Sequence, residues 1–478
     1  MMTFAEKIRR QCRENGLSVA FCVGGAGADT VTYGKLGYSL DNICSRLAQI
    51  GVAPGSIYGV MSANGYVQVL CLLALERMGA VTVTLENEAQ MQALRLSGIV
   101  SDREVPKAGC PVYRISDEWL QTQAGPVPAE IPERAPEDLC RIAFTSGSTG
   151  KPKQIALTHG MLAKRIEDQN LAFGEDFKRM TRRFNMIGLN VHFGYRILIR
   201  TLAEGGLYCF PDMDLARNIR SLSLYGIQTV VGSPLQYSFL EEYGAKHPGS
   251  FPSLQLAICG GARLSPLFAE RLRRNVCPRV MVGYGSPEAG IVAAGPAETL
   301  NLDKGEIGKV IPGVEVEIVD ETSGKPVKSG SGLVRIRGAG VARGYYDEAA
   351  AQSSHFKDGW FYPGDIGSVS SGVLSIAGRK DHVVSFGGVK TTLETVEAQL
   401  MHAPAVKEIA VVPVSGATEV KKVQAFIVPA EGWSEKAFWD YCHAKVENTF
   451  WPVKIAVLAS LPRVASGKVD RQRLIASA

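Results

Sequence analysis

The stretch FTSGSTGKPKQIALTHG, Phe144 to Gly160, comes straight after an apolar, strand-like entry and sets hydroxyls and glycines beside Lys151 and Lys153. A loop of this kind suits a polyphosphate. Glycines let the backbone approach phosphate oxygens closely, Ser and Thr hydroxyls donate hydrogen bonds, and lysines balance the charge. The Walker A pattern fails on spacing, because Thr145 stands where its first glycine belongs and Pro152 follows the lysine. A plain surface turn would need far fewer of these residues.

Outward from this loop the chain alternates helix and strand. In GYVQVLCLLALERMGAV the residues Val67, Leu70, Cys71, Ala74, Leu75 and Met78 recur at helical spacing, and Gly79 closes the segment as a C-terminal cap. AVTVTL follows as a strand. The same order returns in RNIRSLSLYGIQTVVGSP, where IQTVV reads as a buried strand ended by Gly-Ser-Pro. Such alternation predicts parallel sheets covered by helices. From about Asn301 the texture changes to VEVEIVD, GLVRIRG and GVLSIAG, short pieces divided by Gly, Ser and Asp turns, which predict a smaller β-rich subdomain over about 301–380. After GRKDHVVSFGG the pattern is mixed again, with a helix in LETVEAQLMH, strands in EIAVVPV and VQAFIV, and a helix-and-loop tail. The expected division is residues 1–380 and 381–478, joined by a short hinge near Asp381.

Size and composition bound the function. At 478 residues the chain is too long for one ordinary core, and 46% hydrophobic with 21% charged residues is the balance of a globular protein. The net charge of +5 comes from 52 basic and 47 acidic residues spread along the chain, without the basic tail or patch that nucleic-acid binding requires. The ten cysteines are scattered singly, with no CxxC pair and no Cys/His cluster, so reduced core cysteines are expected. The longest apolar run, VQVLCLLAL, stops at Glu76, far short of a membrane span. MMTFAEKIRRQC lacks the apolar core of a signal peptide, and a cytoplasmic location is expected.

The phosphate-type loop does not stand alone. GGARLSP (Gly260–Pro266), GYGSPEAG (Gly283–Gly290), DGWFYPGDIG (Asp358–Gly367), GRKDHVVSFGGVK (Gly378–Lys390) and LPRVASGKVDR (Leu461–Arg471) follow it, and VTYGKL precedes it. In order and spacing this set resembles the adenylate-forming superfamily of acyl-CoA synthetases, aryl-acid ligases, peptide-synthetase adenylation domains and luciferases, over nearly the whole chain. The resemblance implies an α/β fold. A large N-terminal domain of two helix-covered β-sheet subdomains and a small β-barrel-like subdomain would precede a small mobile α+β C-terminal domain carrying a catalytic lysine.

By that resemblance Thr145, Ser146, Gly147, Ser148, Thr149 and Lys151 form a mobile loop over the β- and γ-phosphates of ATP, while Lys153 is either a phosphate contact or solvated. Gly260, Gly261 and Ala262 lie along adenine, and Tyr284, followed by Gly285 and Ser286, offers a flat ring for the base. Glu288 would hold magnesium, a hard ion that bridges carboxylate and phosphate oxygens. Asp365 accepts from the ribose hydroxyls, Arg379 reaches ribose or phosphate, and Asp381 falls on the hinge. Lys468 is the implied catalytic residue of the first half-reaction, neutralising charge where an acid carboxylate meets the α-phosphorus. Gly387 and Gly388 belong to the segment presented for the thiol step. The chain departs from the family's pattern at Gln154, where relatives have glycine, and at Pro287 and Pro363, where they have threonine. Thr395 likewise replaces the first Glu of an E-x-E pair whose second member, Glu397, is kept.

The implied reaction has two steps. ATP and a small carboxylic acid give an acyl-adenylate and pyrophosphate, and the thiol of coenzyme A or of a carrier protein's phosphopantetheine arm then displaces AMP. For the acid, GLNVHFGYRILIRTLAEGG is the informative stretch. Counting back from Gly205 and Gly206, His192 lies at or next to the place where amino-acid-activating relatives keep an aspartate, and no acidic residue occurs from Gly188 to Ala203. A buried ammonium without a carboxylate is costly, so an acid lacking a free α-amine is expected. His192, beside Gly194, is either a catalytic pocket-wall residue or a hydrogen-bonded core histidine. Arg196 either faces the pocket, to bind a second carboxylate, or lies on the helix surface. Two rival functions stay open: a stand-alone amino-acid adenylation enzyme, separated by the choice of acid, and a weakly catalytic adenylate-binding protein, separated by AMP release.

Overall fold

Asn64 starts the helix Gly65–Arg77 by accepting from the Tyr66 and Val67 amides, and Gly79 lies just beyond its end at φ +78°. The helix is more enclosed than its apolar spacing predicts, since Val67 through Arg77 are all buried. Its flanking strands, Ile57–Met61 and Val81–Thr84, pair in parallel as the alternation predicts. This computed structural model describes residues 2–23, 29–122, 125–126, 133–145, 153–212, 214–327, 329–346, 355–386, 389–415, 421–464 and 467–478.

Ile57–Met61 and Val81–Thr84 are central in a six-stranded sheet that runs Val112–Arg114, Gly98–Ser101, Ile57–Met61, Val81–Thr84, Leu139–Thr145, Lys153–Thr158. All neighbours are parallel except the last pair, an antiparallel hairpin at the sheet's edge. A second sheet of fifteen strands among the described residues begins with parallel pairing through Val19–Val23, Leu207–Cys209, Arg182–Asn185, Thr229–Gly232, Leu256–Cys259 and Val280–Ser286. It then turns antiparallel through Gly290–Pro296, Glu306–Val310, Val373–Arg379, Asp365–Ser370 and Gly332–Gly338.

The β-rich segments thus form the expected strands, with Val314–Val319 added against Gly332–Gly338, and pack their own cluster around Val292, Val334, Ile336 and Leu374. They are continuous by hydrogen bonding with the parallel sheet. Gly290–Pro296 makes the join, paired on one side with Val280–Ser286 and on the other with Glu306–Val310. The large sheet's last strand in sequence ends at Arg379. Beyond it lie a hairpin, Val383–Phe386 with Val389–Thr392, and a three-stranded sheet of Val406–Ser415, Lys421–Pro429 and Pro452–Val457, with separate cores. Pro452–Val457 is a strand within the tail expected as helix and loop; its alternation is weak because only Pro452 is buried. The chain is therefore a mixed α/β protein with a large N-terminal and a small C-terminal part. Its ten cysteines are free, eight of them buried, and no described helix is long and apolar enough to cross a membrane.

Candidate active site

Thr145 is buried at the end of Leu139–Thr145 and pairs with Lys153, the first residue of the returning strand. This register fixes both ends of the hydroxyl-rich connection. Ser146, Gly147, Ser148, Thr149 and Lys151 lie outside the described residues. Lys153 is more than a solvated lysine, for Nζ is 3.3 Å from His355 Nε2 and 5.1 Å from the centre of the Tyr345 ring. The unusual Gln154 also has a structural task. Its Nε2 donates to Ala93 O at 2.8 Å, and its carbonyl accepts from Tyr346 N at 2.8 Å, anchoring the exit of the loop.

Across from this hairpin, Tyr284, Gly285 and Ser286 finish the strand Val280–Ser286 and deliver Pro287 and Glu288 in a tight turn. A side chain at 285 would place its Cβ 2.0 Å from Gly290 O, so only glycine permits this approach. Ser286 Oγ accepts from Ala289 N at 3.1 Å and keeps its proton available to donate. Glu288 is buried, and its Oε1 accepts from Tyr345 OH at 3.1 Å. Gly260, Gly261 and Ala262 follow the strand Leu256–Cys259, where Gly261 turns at φ +83° and Gly260 N donates to Gly232 O at 3.1 Å.

Sheet register then assembles a charged group beside Tyr284. Asp365 and Arg379 are cross-strand partners, with Arg379 Nη1 3.5 Å from Asp365 Oδ1, and Tyr284 OH donates to Asp365 Oδ2. Arg379 Nε also donates to Asp381 Oδ1 at 3.1 Å, and its Nη1 to Pro363 O at 2.5 Å. Burial lifts the Asp365 carboxyl above its ordinary pKa, against the opposing pull of the Tyr284 hydroxyl, Arg379 and Lys468. Burial and the neighbouring Asp365 keep the Tyr284 hydroxyl protonated, well above the usual phenol range.

Lys468 is exposed in a hairpin closed by the Arg463–Val469 bridge, with Val464 N donating to Lys468 O at 2.9 Å. It stands near enough to the Tyr284–Asp365–Arg379 group for its charge to act on the Asp365 carboxyl. Arg471, three residues on, fixes the hairpin's base with Nη1 2.6 Å from Glu397 Oε1 and Nη2 2.9 Å from Glu397 Oε2. Glu397 is thus a bidentate structural partner. Asp381 sits between the last strand of the large sheet and the hairpin that follows; Gly387 and Gly388 lie outside the described residues.

His192 opens the helix His192–Ala203 and is buried, with no hydrogen-bond partner on either ring nitrogen among the described residues. Burial first, then Arg196, Arg165 and Arg141, push its pKa well below the ordinary value, so the ring is neutral. Arg196 is not on the helix surface. It is only 3% exposed, donates from Nη1 to Arg165 O at 3.3 Å, and leaves Nε without a hydrogen-bond partner among the described residues. Of the neighbouring carboxylates, Asp168 accepts from Lys164 Nζ at 2.5 Å, and Glu76 accepts from Tyr195 OH through Oε2 at 3.0 Å and leaves Oε1 without a hydrogen bond among the described residues.

Two family descriptions match the chain, "AMP-binding enzyme" over residues 8–346 and "AMP-binding enzyme C-terminal domain" over residues 395–468. The chain belongs to the AMP-binding enzyme family. Among curated relatives, the 2-succinylbenzoate–CoA ligase of Bacillus cereus is 28% identical over 472 residues, covering 93% of each chain. Two solved structures share the fold of this AMP-binding enzyme. The anthranilate CoA ligase AuaEII in complex with anthranoyl-AMP has a TM-score of 0.88 at 22% identity, covering 100% of this chain and 97% of its own. ATP-bound MatB from Rhodopseudomonas palustris has a TM-score of 0.85 at 22% identity, covering 99% and 98%.

Two residues of this AMP-binding enzyme escape a reading of its motifs. Arg165, on the helix His159–Phe173, is wholly buried and spends three groups on three carbonyls: Nε on Gly340 O at 2.7 Å, Nη1 on Pro287 O at 2.8 Å and Nη2 on Glu288 O at 2.6 Å. It pins the turn that carries Glu288. Nothing in the sequence marks it, because a single arginine on a helix is ordinarily solvated. Tyr345 bridges Glu288 and Lys153, and the aromatic pair in ARGYYD is the signal that could have found it.

Proposed function

We propose that this protein activates a small carboxylic acid with ATP and passes it to a thiol. In the first step a carboxylate oxygen attacks the α-phosphorus, the bond to the β-phosphate oxygen breaks, and pyrophosphate leaves with the electron pair. In the second, a thiolate attacks the acyl carbon, the carbon–oxygen bond to the phosphate breaks, and AMP leaves. The thiol belongs to coenzyme A or to a phosphopantetheine arm. The observation that carries this reading is the Tyr284–Asp365–Arg379 group, with Lys468 of the C-terminal part near enough for its charge to act on Asp365.

In this reading Asp365 and Arg379 hold the ribose and Tyr284 flanks the base beside Gly260, Gly261 and Ala262. The hydroxyl-rich segment from Thr145 to Lys151 cradles the β- and γ-phosphates. Lys468 draws acid and α-phosphate together and offsets their combined negative charge. Glu288, a buried carboxylate held through Oε1 by the Tyr345 hydroxyl, would hold magnesium as a hard oxygen ligand. The ion's contribution when bound is to offset phosphate charge. Residues 381–478 act as a unit hinged at Asp381, presenting Lys468 for one step and the Gly387–Gly388 segment for the other. A cytoplasmic setting accords with ten unpaired cysteines.

The acid lacks a free α-amine. An ammonium placed beside His192 would face the charges of Arg196, Arg165 and Arg141, while Asp168 is held by Lys164 and Glu76 by the Tyr195 hydroxyl through one of its two oxygens. Pyrophosphate exchange and AMP release over a panel of aryl, acyl and α-amino acids test the proposal. Acid-dependent exchange with at least one aryl or acyl acid is expected; turnover confined to α-amino acids would overturn the pocket assignment, and AMP release with no acid would overturn the reaction.

A further inference from the structure

Away from the nucleotide site, three helices line a pocket of about 200 Å³ that opens to solvent: Phe4–Glu14, Tyr33–Gln49 and Gly65–Arg77. At a liquid volume of ~30 Å³ per water this is room for about six or seven waters, the size of a small organic molecule. Its apolar side is made by Ile8, Leu40 and Leu73. Its polar side is cationic, since Arg9, Arg13 and Arg77 line it and Asp41 is the one carboxylate among the lining residues.

Arg77 is 5% exposed. Its Nη1 donates to Asp41, while its Nη2 is buried with no N or O hydrogen-bond partner among the described residues, only the weakly accepting Cys44 thiol lying beside the guanidinium. A buried guanidinium half of whose fork is unanswered leaves a desolvated donor that an anion would satisfy. Arg9 and Arg13 make no hydrogen bond or ion pair among the described residues, and Arg9 is held below its ordinary pKa by burial and by the charges of Arg77 and Arg13. The other titratable groups facing the cavity add no negative charge. Burial pushes the Cys12 thiol up to about 12, and Tyr38 OH donates to Gln121 O at 2.7 Å. Cys44, beside Arg77, is likewise neutral, pushed up to about 11 by burial.

We propose that this cavity is a second ligand site, separate from the nucleotide cleft, for a small organic carboxylate with an apolar body. The carboxylate takes the free edge of Arg77 between Arg9 and Arg13, and the apolar body lies against Ile8, Leu40 and Leu73. Each wall helix also grips the helix His192–Ala203, through Gln11 Nε2 to Ala203 O at 3.2 Å, Tyr33 OH to Leu202 O at 3.1 Å, and Tyr195 OH to Glu76 Oε2 at 3.0 Å. The site therefore stands one contact away from the helix that begins with His192.

The probe is 4-bromobenzoate, with 4-bromobenzamide as its uncharged counterpart, applied to the full chain. Crystals soaked with the acid locate bromine by anomalous scattering, and hydrogen-exchange mass spectrometry follows protection of residues 4–14 against probe concentration. Bromine between Ile8, Leu40 and Leu73 is expected. The protection midpoint should rise roughly tenfold or more for the amide, and likewise for the acid on an Arg9→Gln/Arg13→Gln chain, whose two changes lie on the partly exposed rim. Bromine found only beside His192, or equal midpoints for acid and amide, would overturn the proposal. Neither readout needs turnover, so failure here leaves the proposed reaction untouched, and the reverse holds too.

Discussion

Lys468 and Arg165 are both cations of the proposed site, and the chain positions them by opposite means. Arg165 is buried in the N-terminal part with every arm committed to a backbone carbonyl, so that it shapes the turn of Glu288 from below. Lys468 is exposed in a hairpin of the C-terminal part, and the rigidity behind it comes second-hand from the Arg471–Glu397 pair. A cation whose donors are all spent on the protein contributes through stability. One whose donors are left unspent contributes through rate.

The sharpest way to break this contrast is Arg165→Met, which strips donors from Gly340 O, Pro287 O and Glu288 O. A loss of about 3–5 kcal/mol is expected in urea unfolding, the range for removing one member of a buried charged network. An unchanged midpoint would place Arg165 with the replaceable residues. Lys468→Ala should do the reverse, slowing adenylate formation by about 10²–10³-fold with the melting temperature unchanged. Thiol attack on supplied acyl-adenylate should stay largely intact, and equal loss of both half-reactions would contradict the division of labour.

Glu76 sharpens the contrast with a buried anion. Burial lifts its carboxyl from 4.5 to about 7, against the pull of Tyr195 and Arg141. Below 4.5 both folded and unfolded chains hold the proton; from there to about 7 only the folded chain does. Folding stability therefore falls as pH rises through this window, and the loss is complete above it. Glu76→Gln should match the wild type near the bottom of the window and exceed it by ~3 kcal/mol above the top. A difference that does not change with pH would refute the assignment. The smallest effect is expected at the link between the two regions. Tyr345→Phe removes the hydroxyl that donates to Glu288 while keeping the ring under Lys153, and should raise the magnesium needed for half-maximal rate by about threefold to tenfold. An unaltered magnesium titration would remove Tyr345 from the site.

What the sequence disclosed follows from where the physics is local. Turns and strand alternation in VEVEIVD, GLVRIRG and GVLSIAG foretold strands within a residue or two, and the strand-like entry to the hydroxyl-rich run is Leu139–Thr145, though its antiparallel partner Lys153–Thr158 was not foreseen. What it withheld is long-range. That the β-rich segments join the parallel sheet depends on Gly290–Pro296 pairing on both edges, a fact no short window contains. Arg196 reads as a surface residue because charge ordinarily means solvent, yet the layer it enters already holds Arg165 and His192. Arg165 was invisible for the same reason. The weakly alternating Pro452–Val457 is held in place by its neighbour Lys421–Pro429 rather than by its own pattern.

The measurement that bears most directly on the chemistry is isotopic. An aryl or acyl acid that supports turnover would be labelled with oxygen-18 in its carboxylate, and the AMP released would be weighed by mass spectrometry. Carboxylate attack on the α-phosphorus followed by cleavage at the acyl carbon predicts AMP carrying one atom of the label. Unlabelled AMP, or ADP in its place, would mean that the acid never took the innermost phosphorus.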